Sequence, residues 1–202
     1  RDGGKIDASR AAYQSAICIQ PDYPDAYSNL GVTLRDLGFQ NSAARQFRRS
    51  IQLNPGLPEA YSNLGIALFD MREFQLASCA YGKALALRPD YPQALNNLGN
   101  SIREQGNAAY ADQLFKRALH IDPFYQEAYN NNGIIKYERS DYTASVSSYH
   151  CAIVLNPGYP EAYNNLGISY YTLGNPTAAE AILKKAIILR PQYPEAHCNL
   201  GA

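Results

Sequence analysis

Tyr159-Pro160-Glu161-Ala162-Tyr163-Asn164-Asn165-Leu166-Gly167 recurs in variant form down the whole chain at one fixed interval. YPDAYSNLG starts at Tyr23, LPEAYSNLG at Leu57, YPQALNNLG at Tyr91, YQEAYNNNG at Tyr125 and YPEAHCNLG at Tyr193, each start 34 residues after the last. A strict period in the range of about 20–50 residues marks a solenoid, in which each unit is one supersecondary element stacked on its neighbours. The 202 residues therefore read as a single array over 1–202. It comprises a partial unit 1–23, full units 24–57, 58–91, 92–125, 126–159 and 160–193, and a partial unit 194–202.

The unit from Pro58 to Pro92 shows how each copy is built. Pro58 has a fixed φ and no donor, which suits the first turn of a helix. Tyr61, Leu64, Leu68 and Met71 follow at spacings of three and four, one apolar stripe of a helix. Ala77, Tyr81, Ala84 and Leu85 form a second stripe, and Pro89 ends it. Between the two, most units place a glycine (Gly38, Gly106, Gly174) suited to the left-handed backbone after a helix end. Gly31, Gly65, Gly99, Gly133 and Gly167 fall inside the first helix, where glycine costs about 1 kcal/mol relative to alanine. Their recurrence predicts a close crossing by the second helix, and Ala43, Ala77, Ala111 and Ala179 fit the same crossing.

The pattern Tyr61-x-x-Leu64-Gly65-x-x-Leu68, with Ala77-x-x-x-Tyr81 and Pro89, resembles the tetratricopeptide repeat (TPR). The resemblance covers essentially the whole chain. It implies an all-α fold, an α-solenoid of antiparallel helix pairs wound into a right-handed superhelix, with the first helices lining a concave groove.

The face of the first helix opposite its core stripe carries Asp25, Asn29, Val32 and Asp36 in the first full unit. Stacking the copies gives a ladder of Asn29, Asn63, Asn97, Asn131, Asn165 and Asn199. Acids flank it at Asp25, Glu59, Glu127, Glu161 and Glu195, and again at Asp36, Asp70, Glu104 and Glu138. Arg35 and Arg103 are the cations expected in the groove. An asparagine amide both donates and accepts, so a row of them matches the N–H and C=O of an extended peptide. Similar ladders line the groove in O-linked N-acetylglucosamine transferases, where they hold the substrate polypeptide. The alternative is that these amides only tie adjacent helices, since such side chains often serve local backbone bonding. In the peptide reading, the flanking acids favour a basic or hydroxyl-rich segment. The carboxylate clamp of chaperone-tail binders is not matched: its slots hold Ser28, Ser62, Asn96 and Asn130, then acids or Gln93, with no clamp cation.

Composition narrows the partners further. Eighteen basic residues balance eighteen acidic ones, and no basic face is present for phosphates, so no nucleic-acid partner is expected. The densest basic cluster, Arg45, Arg48 and Arg49, reads as a solvated helix face. No apolar stretch approaches the roughly 20 residues that span a bilayer, so no membrane partner is expected. Cys18, Cys79, Cys151 and Cys198 occupy four different slots with no CxxC pair, which indicates neither metal nor redox couple. They read as small packing residues in a reducing, cytoplasmic setting. The P-x-x-P strings, such as Pro89-Asp90-Tyr91-Pro92, mark turns between helices rather than a proline ligand.

Nothing in the sequence composes an active site. His120, His150 and His197 fall in different slots, and there is no phosphate loop, GxSxG or HExxH. No cofactor or metal is expected and the segment is not an enzyme by itself. The unit 126–159 departs from the pattern: Tyr129 is followed by Asn132, Lys136 and Arg139, where the next unit has Leu166, Tyr170 and Leu173. Ser140 replaces the turn glycine and Ser145 the small alanine. Unpartnered buried polar groups cost roughly 1–3 kcal/mol each, so this helix is expected to be the least firmly held. It reads as a tolerated lesion, a hinge, or a surface for a second partner.

Two function classes follow. One is a protein–protein interaction scaffold that binds an extended polypeptide segment in the groove. The other is the substrate-recruiting arm of a protein O-glycosyltransferase whose catalytic domain lies outside this chain. The chain opens at Arg1 in mid-repeat and stops at Ala202 within a first helix, so its uncapped ends are expected to fray or self-associate.

Overall fold

The computed structural model of the chain describes residues 3–201. Among them are twelve α-helices and no strand. They divide into two compact units, one up to Asn107 and one from Ala108 onward. The first unit holds α1 (Gly3–Ile19), α2 (Pro24–Asp36), α3 (Gln40–Leu53), α4 (Pro58–Asp70), α5 (Phe74–Leu87) and α6 (Pro92–Glu104). The second holds α7 (Ala108–Ile121), α8 (Gln126–Glu138), α9 (Tyr142–Leu155), α10 (Pro160–Thr172), α11 (Pro176–Leu189) and α12 (Pro194–Gly201).

Within each unit every helix packs on the next in sequence, the arrangement of an all-α solenoid. The first helices of successive repeats also touch: α2 with α4 and α4 with α6, then α8 with α10 and α10 with α12. Proline opens α2, α4, α6 and α10 as its missing donor and fixed φ predict. Helix α8 opens on Gln126 instead. Helix α1 runs from Gly3 to Ile19, and no proline or glycine interrupts it from Lys5 onward.

The mid-helix glycines stand where predicted. A Cβ on Gly31 would lie 2.6 Å from Phe47, on Gly65 2.5 Å from Tyr81, and on Gly133 2.6 Å from Tyr149. On Gly167 it would lie 2.6 Å from Leu183. What forbids the Cβ is a buried side chain of the second helix sixteen residues on, seated directly over the glycine.

The turns between paired helices share one geometry whatever residue occupies them. Gly38, Gly106 and Gly174 have φ of 81°, 84° and 76°, and Arg72 and Ser140 adopt the same left-handed region at 62° and 63°. Each turn bonds back to the helix it ends, as in Ser140 N–H to the Tyr137 carbonyl at 2.8 Å and Asp141 N–H to the Lys136 carbonyl at 2.9 Å. A side chain at positive φ costs about 1–2 kcal/mol. Ser140→Gly and Arg72→Gly are therefore each expected to stabilise the chain by about 1 kcal/mol after the added chain entropy of glycine is subtracted. Urea midpoints read this directly, and midpoints at or below wild type would refute it.

The cysteine expectation needs correction. Cys18, Cys79, Cys151 and Cys198 are all free and all exposed, so they do not pack. Cys79 and Cys151 each stand one residue before a buried alanine, Ala80 and Ala152, and one residue is a rotation of about 100° on a helix.

The unit 126–159 also differs from expectation: the polar residues that replace its apolar stripe and small alanine are partnered. Asn132 is buried and its Nδ2 donates to Asp112 Oδ1 of α7 at 2.7 Å. Asp112 Oδ2 receives Lys116 Nζ at 2.7 Å, and Arg139 reaches it at 3.7 Å. Lys136 Nζ donates to Ser148 Oγ of α9 at 2.7 Å, and Ser148 Oγ turns to Asn132 Oδ1 at 3.5 Å. Ser145 shares a hydrogen bond with Ser169 at 3.0 Å. The lost leucine stripe has been replaced by a connected set of hydrogen bonds across α7, α8 and α9. The first unit carries a milder form at the same slots, where Gln105 Nε2 donates to Ser78 Oγ at 2.8 Å.

Candidate functional site

The asparagine row sits on the first helices, and its members are in two different states. In the second unit they tie neighbouring helices. Asn165 Nδ2 donates to Asn130 Oδ1 at 3.0 Å, and Asn199 Nδ2 donates to Asn164 Oδ1 at 2.9 Å. The acceptor is each time the residue just before the row in the preceding repeat. In the first unit that slot holds Ser28 and Ser62, and the side chains of Asn29, Asn63 and Asn97 make no hydrogen bond among the described residues. Asn29 is exposed, and Asn63 and Asn97 are half-buried. Their amides remain available to a ligand.

The flanking acids are likewise of two kinds. Glu59 pairs with Arg88, and Glu161 pairs with Arg190 at 2.6 Å. Each arginine also stacks on a tyrosine, Arg88 at 5.0 Å from the Tyr91 ring centroid and Arg190 at 5.1 Å from that of Tyr193. These arginines follow α5 and α11, and sequence reading missed them because each meets its glutamate 29 residues back along the chain. Glu127 has no such partner, and its Oε2 is shielded from solvent without any hydrogen bond.

Arg35 and Arg103 each bond the acid beside them, Asp36 at 3.0 Å and Glu104 at 2.8 Å. Burial raises the Asp70 carboxyl above its usual range, and the nearby Arg35 charge opposes that rise. Burial, with the charge of Asp70 added, holds the Tyr81 phenol neutral far above its ordinary pKa. One row went unread as a site beyond its first member: Val32, Ile66, Asn100, Ile134 and Ile168 share a slot three residues after the asparagines and are half-buried. Their common spacing from Asn29 was the available signal.

Other chemistry is sparse. His150 Nε2 bonds Tyr170 Oη at 3.0 Å, and His197 Nε2 bonds the Pro191 carbonyl at 2.9 Å. Among the described residues no group of three or more histidines, cysteines or acids is placed to hold a metal ion. No described helix is long and apolar enough to cross a membrane.

Comparison with known proteins follows the repeat. Profiles described as TPR repeat match residues 1–38 and 133–174, and profiles described as tetratricopeptide repeat match 62–125, and 25–54 with 161–190. Among curated protein sequences none matches the chain. A chain of the APC/C hetero-tetramer Cut9-Hcn1 superposes with a TM-score of 0.89 at 18% identity, covering 98% of this chain and 39% of that one. This chain thus spans about two fifths of that relative's length. YrrB, a TPR protein with an unusual peptide-binding site, superposes at 0.65 with 20% identity, covering 95% of this chain and 98% of its own. A thermophilic TPR protein of Thermus thermophilus superposes at 0.77 with 22% identity, covering 89% and 97%. At these identities the likeness is one of fold.

Proposed function

The chain belongs to the tetratricopeptide repeat family, a protein-interaction scaffold, and from that premise we propose that it holds an extended polypeptide segment of a partner protein across its first helices. The observation that carries this reading is the state of Asn63 and Asn97. These two amides stand at one slot on adjoining helices, each with a serine in the tying slot of the preceding repeat, and have neither a neighbour nor a backbone group to bond. Repeat spacing presents them at intervals along the face, and an extended backbone offers N–H and C=O groups to each.

The balanced charge supports a protein ligand over a nucleic acid, and the free thiols support a cytoplasmic setting. The peptide-binding site described for YrrB, a protein of like fold, supports the same class of ligand. The reading assigns no reaction to this chain and treats residues 1–202 as one array.

The test uses the first unit because its asparagines can be removed without cutting a helix tie. Fluorescein-labelled nine-residue peptides of Ser, Gly, Arg and Lys are titrated against wild type and Asn63→Ala/Asn97→Ala, followed by anisotropy. Loss of two or more peptide hydrogen bonds is expected to weaken binding by about tenfold or more, with the helical circular dichroism unchanged. Equal affinities would sink the proposal.

A further inference from the structure

Two repeats carry the same three-residue cluster, and a third carries it with one member exchanged. In the repeat 58–91, Arg88 lies between the Glu59 carboxylate and the Tyr91 ring. In 160–193, Arg190 lies between Glu161 and Tyr193 in the same way. The repeat 126–159 keeps the carboxylate as Glu127 and the ring as Tyr159, but Asn156 stands in the arginine slot. The backbone there is the same: φ and ψ are −136° and 92° at Arg88, −136° and 92° at Asn156, and −136° and 93° at Arg190. The Asn156 side chain does not substitute for the cation, because its Oδ1 accepts the Gly158 N–H at 3.0 Å.

Two further facts mark the site as built for positive charge. Glu127 Oε2 is sheltered from water and has no hydrogen-bond donor, an arrangement that costs free energy until a donor arrives. Burial raises the Tyr159 phenol first, and Glu127 is the foremost charge acting on it, in keeping with the register that Glu59 and Tyr91, and Glu161 and Tyr193, share around their arginines. In the two complete clusters the arginines keep 45% and 46% of their side-chain surface, so the position opens to solvent.

We propose that Glu127 and Tyr159 form a receptor for the guanidinium of an arginine supplied by the bound polypeptide, taking the place that Arg88 and Arg190 fill from within the chain. A guanidinium suits it because its planar fork bonds a carboxylate while its face stacks on an aromatic ring. As a subsite the receptor rests on the peptide-scaffold reading. It also gives the acid row a sharper role: Glu59 and Glu161 are neutralised internally, whereas Glu127, with Asn156 in the arginine slot, is left for the ligand.

The full chain is titrated with acetyl-arginine amide while the tyrosine ring resonances are followed by NMR, with acetyl-citrulline amide as the neutral isostere. The expected result is a saturable shift of the Tyr159 ring with arginine, about tenfold weaker with citrulline. Glu127→Gln should abolish that preference. Asn156→Arg should remove the response and itself raise the melting temperature, a gain that disappears when Glu127→Gln is added. Equal responses to arginine and citrulline, or an unaltered response in Asn156→Arg, would overturn the proposal. None of these readouts involves Asn63 or Asn97. A receptor that behaves as expected in a chain that binds no peptide supports the site and sinks the peptide scaffold alone. Peptides held through the asparagines with no preference for arginine would do the reverse.

Discussion

Alanine in place of Asp112 is expected to lower the stability of the chain by about 2–3 kcal/mol, a large loss for one side chain. Asp112 is buried and its two oxygens hold Asn132 and Lys116, both at 2.7 Å. The ion pairs with Lys116 and Arg139 contribute little, because both cations are more than half exposed. The main loss is the Asn132 amide, which is buried and would be left without its acceptor. Asn132→Leu alone should cost about 2 kcal/mol, since it leaves a buried carboxylate facing an apolar group. The double variant Asp112→Ala/Asn132→Leu should return to within about 1 kcal/mol of wild type. It recreates the pairing of the first unit, where Ala44 is buried in an apolar cluster with Leu64 packed against it. Urea denaturation of the four proteins completes the cycle. Additive losses would show that the two side chains act independently and that the polar set is not a unit.

That cycle also explains what the sequence concealed. The period, the opening prolines and the glycines over Phe47, Tyr81 and Tyr149 were legible because each depends on one slot repeating through the array. Asn132, judged against its own copies, looks like a damaged leucine. Its compensation lies on other helices, Asp112 twenty residues before it and Ser148 sixteen after. The co-occurring exchanges, leucine to asparagine at 132 and, against Ala44 and Ser78 of the two preceding repeats, aspartate at 112, were the available signal. The candidate site failed to read for the same reason. An asparagine ladder is visible as a column, but whether each amide is free depends on the neighbouring column, serine at Ser28 and Ser62 and asparagine at Asn130 and Asn164. Cysteine burial misled for a different reason: a residue-type preference was applied without asking which side of the stripe each cysteine occupied.

Gly65→Ala is expected to destabilise the chain by about 2 kcal/mol although alanine is the better helix former by about 1 kcal/mol. An added Cβ would meet Tyr81 at 2.5 Å from Cε1, 2.7 Å from Cδ1 and 2.8 Å from Cζ. Carbon atoms in contact sit about 3.5–4.0 Å apart, so the ring would have to withdraw by about 1 Å. Tyr81 is 1% exposed, and Ala77 and Ala84 on the same helix are completely buried, so the ring has no space to enter. The helix α4 must instead be pushed from α5, and the contacts along that crossing weaken together. Gly82 supplies the control within the same helix pair. It lies inside α5, is exposed, and has nothing within 4 Å of an added Cβ. Gly82→Ala should therefore stabilise by about 1 kcal/mol through helix propensity alone. One substitution thus has opposite signs at two glycines of neighbouring helices. Wild type should fall between the two variants in urea midpoint. A Gly65→Ala protein as stable as Gly82→Ala would mean that the helices part without cost and that the recurring glycine does not set how closely they cross.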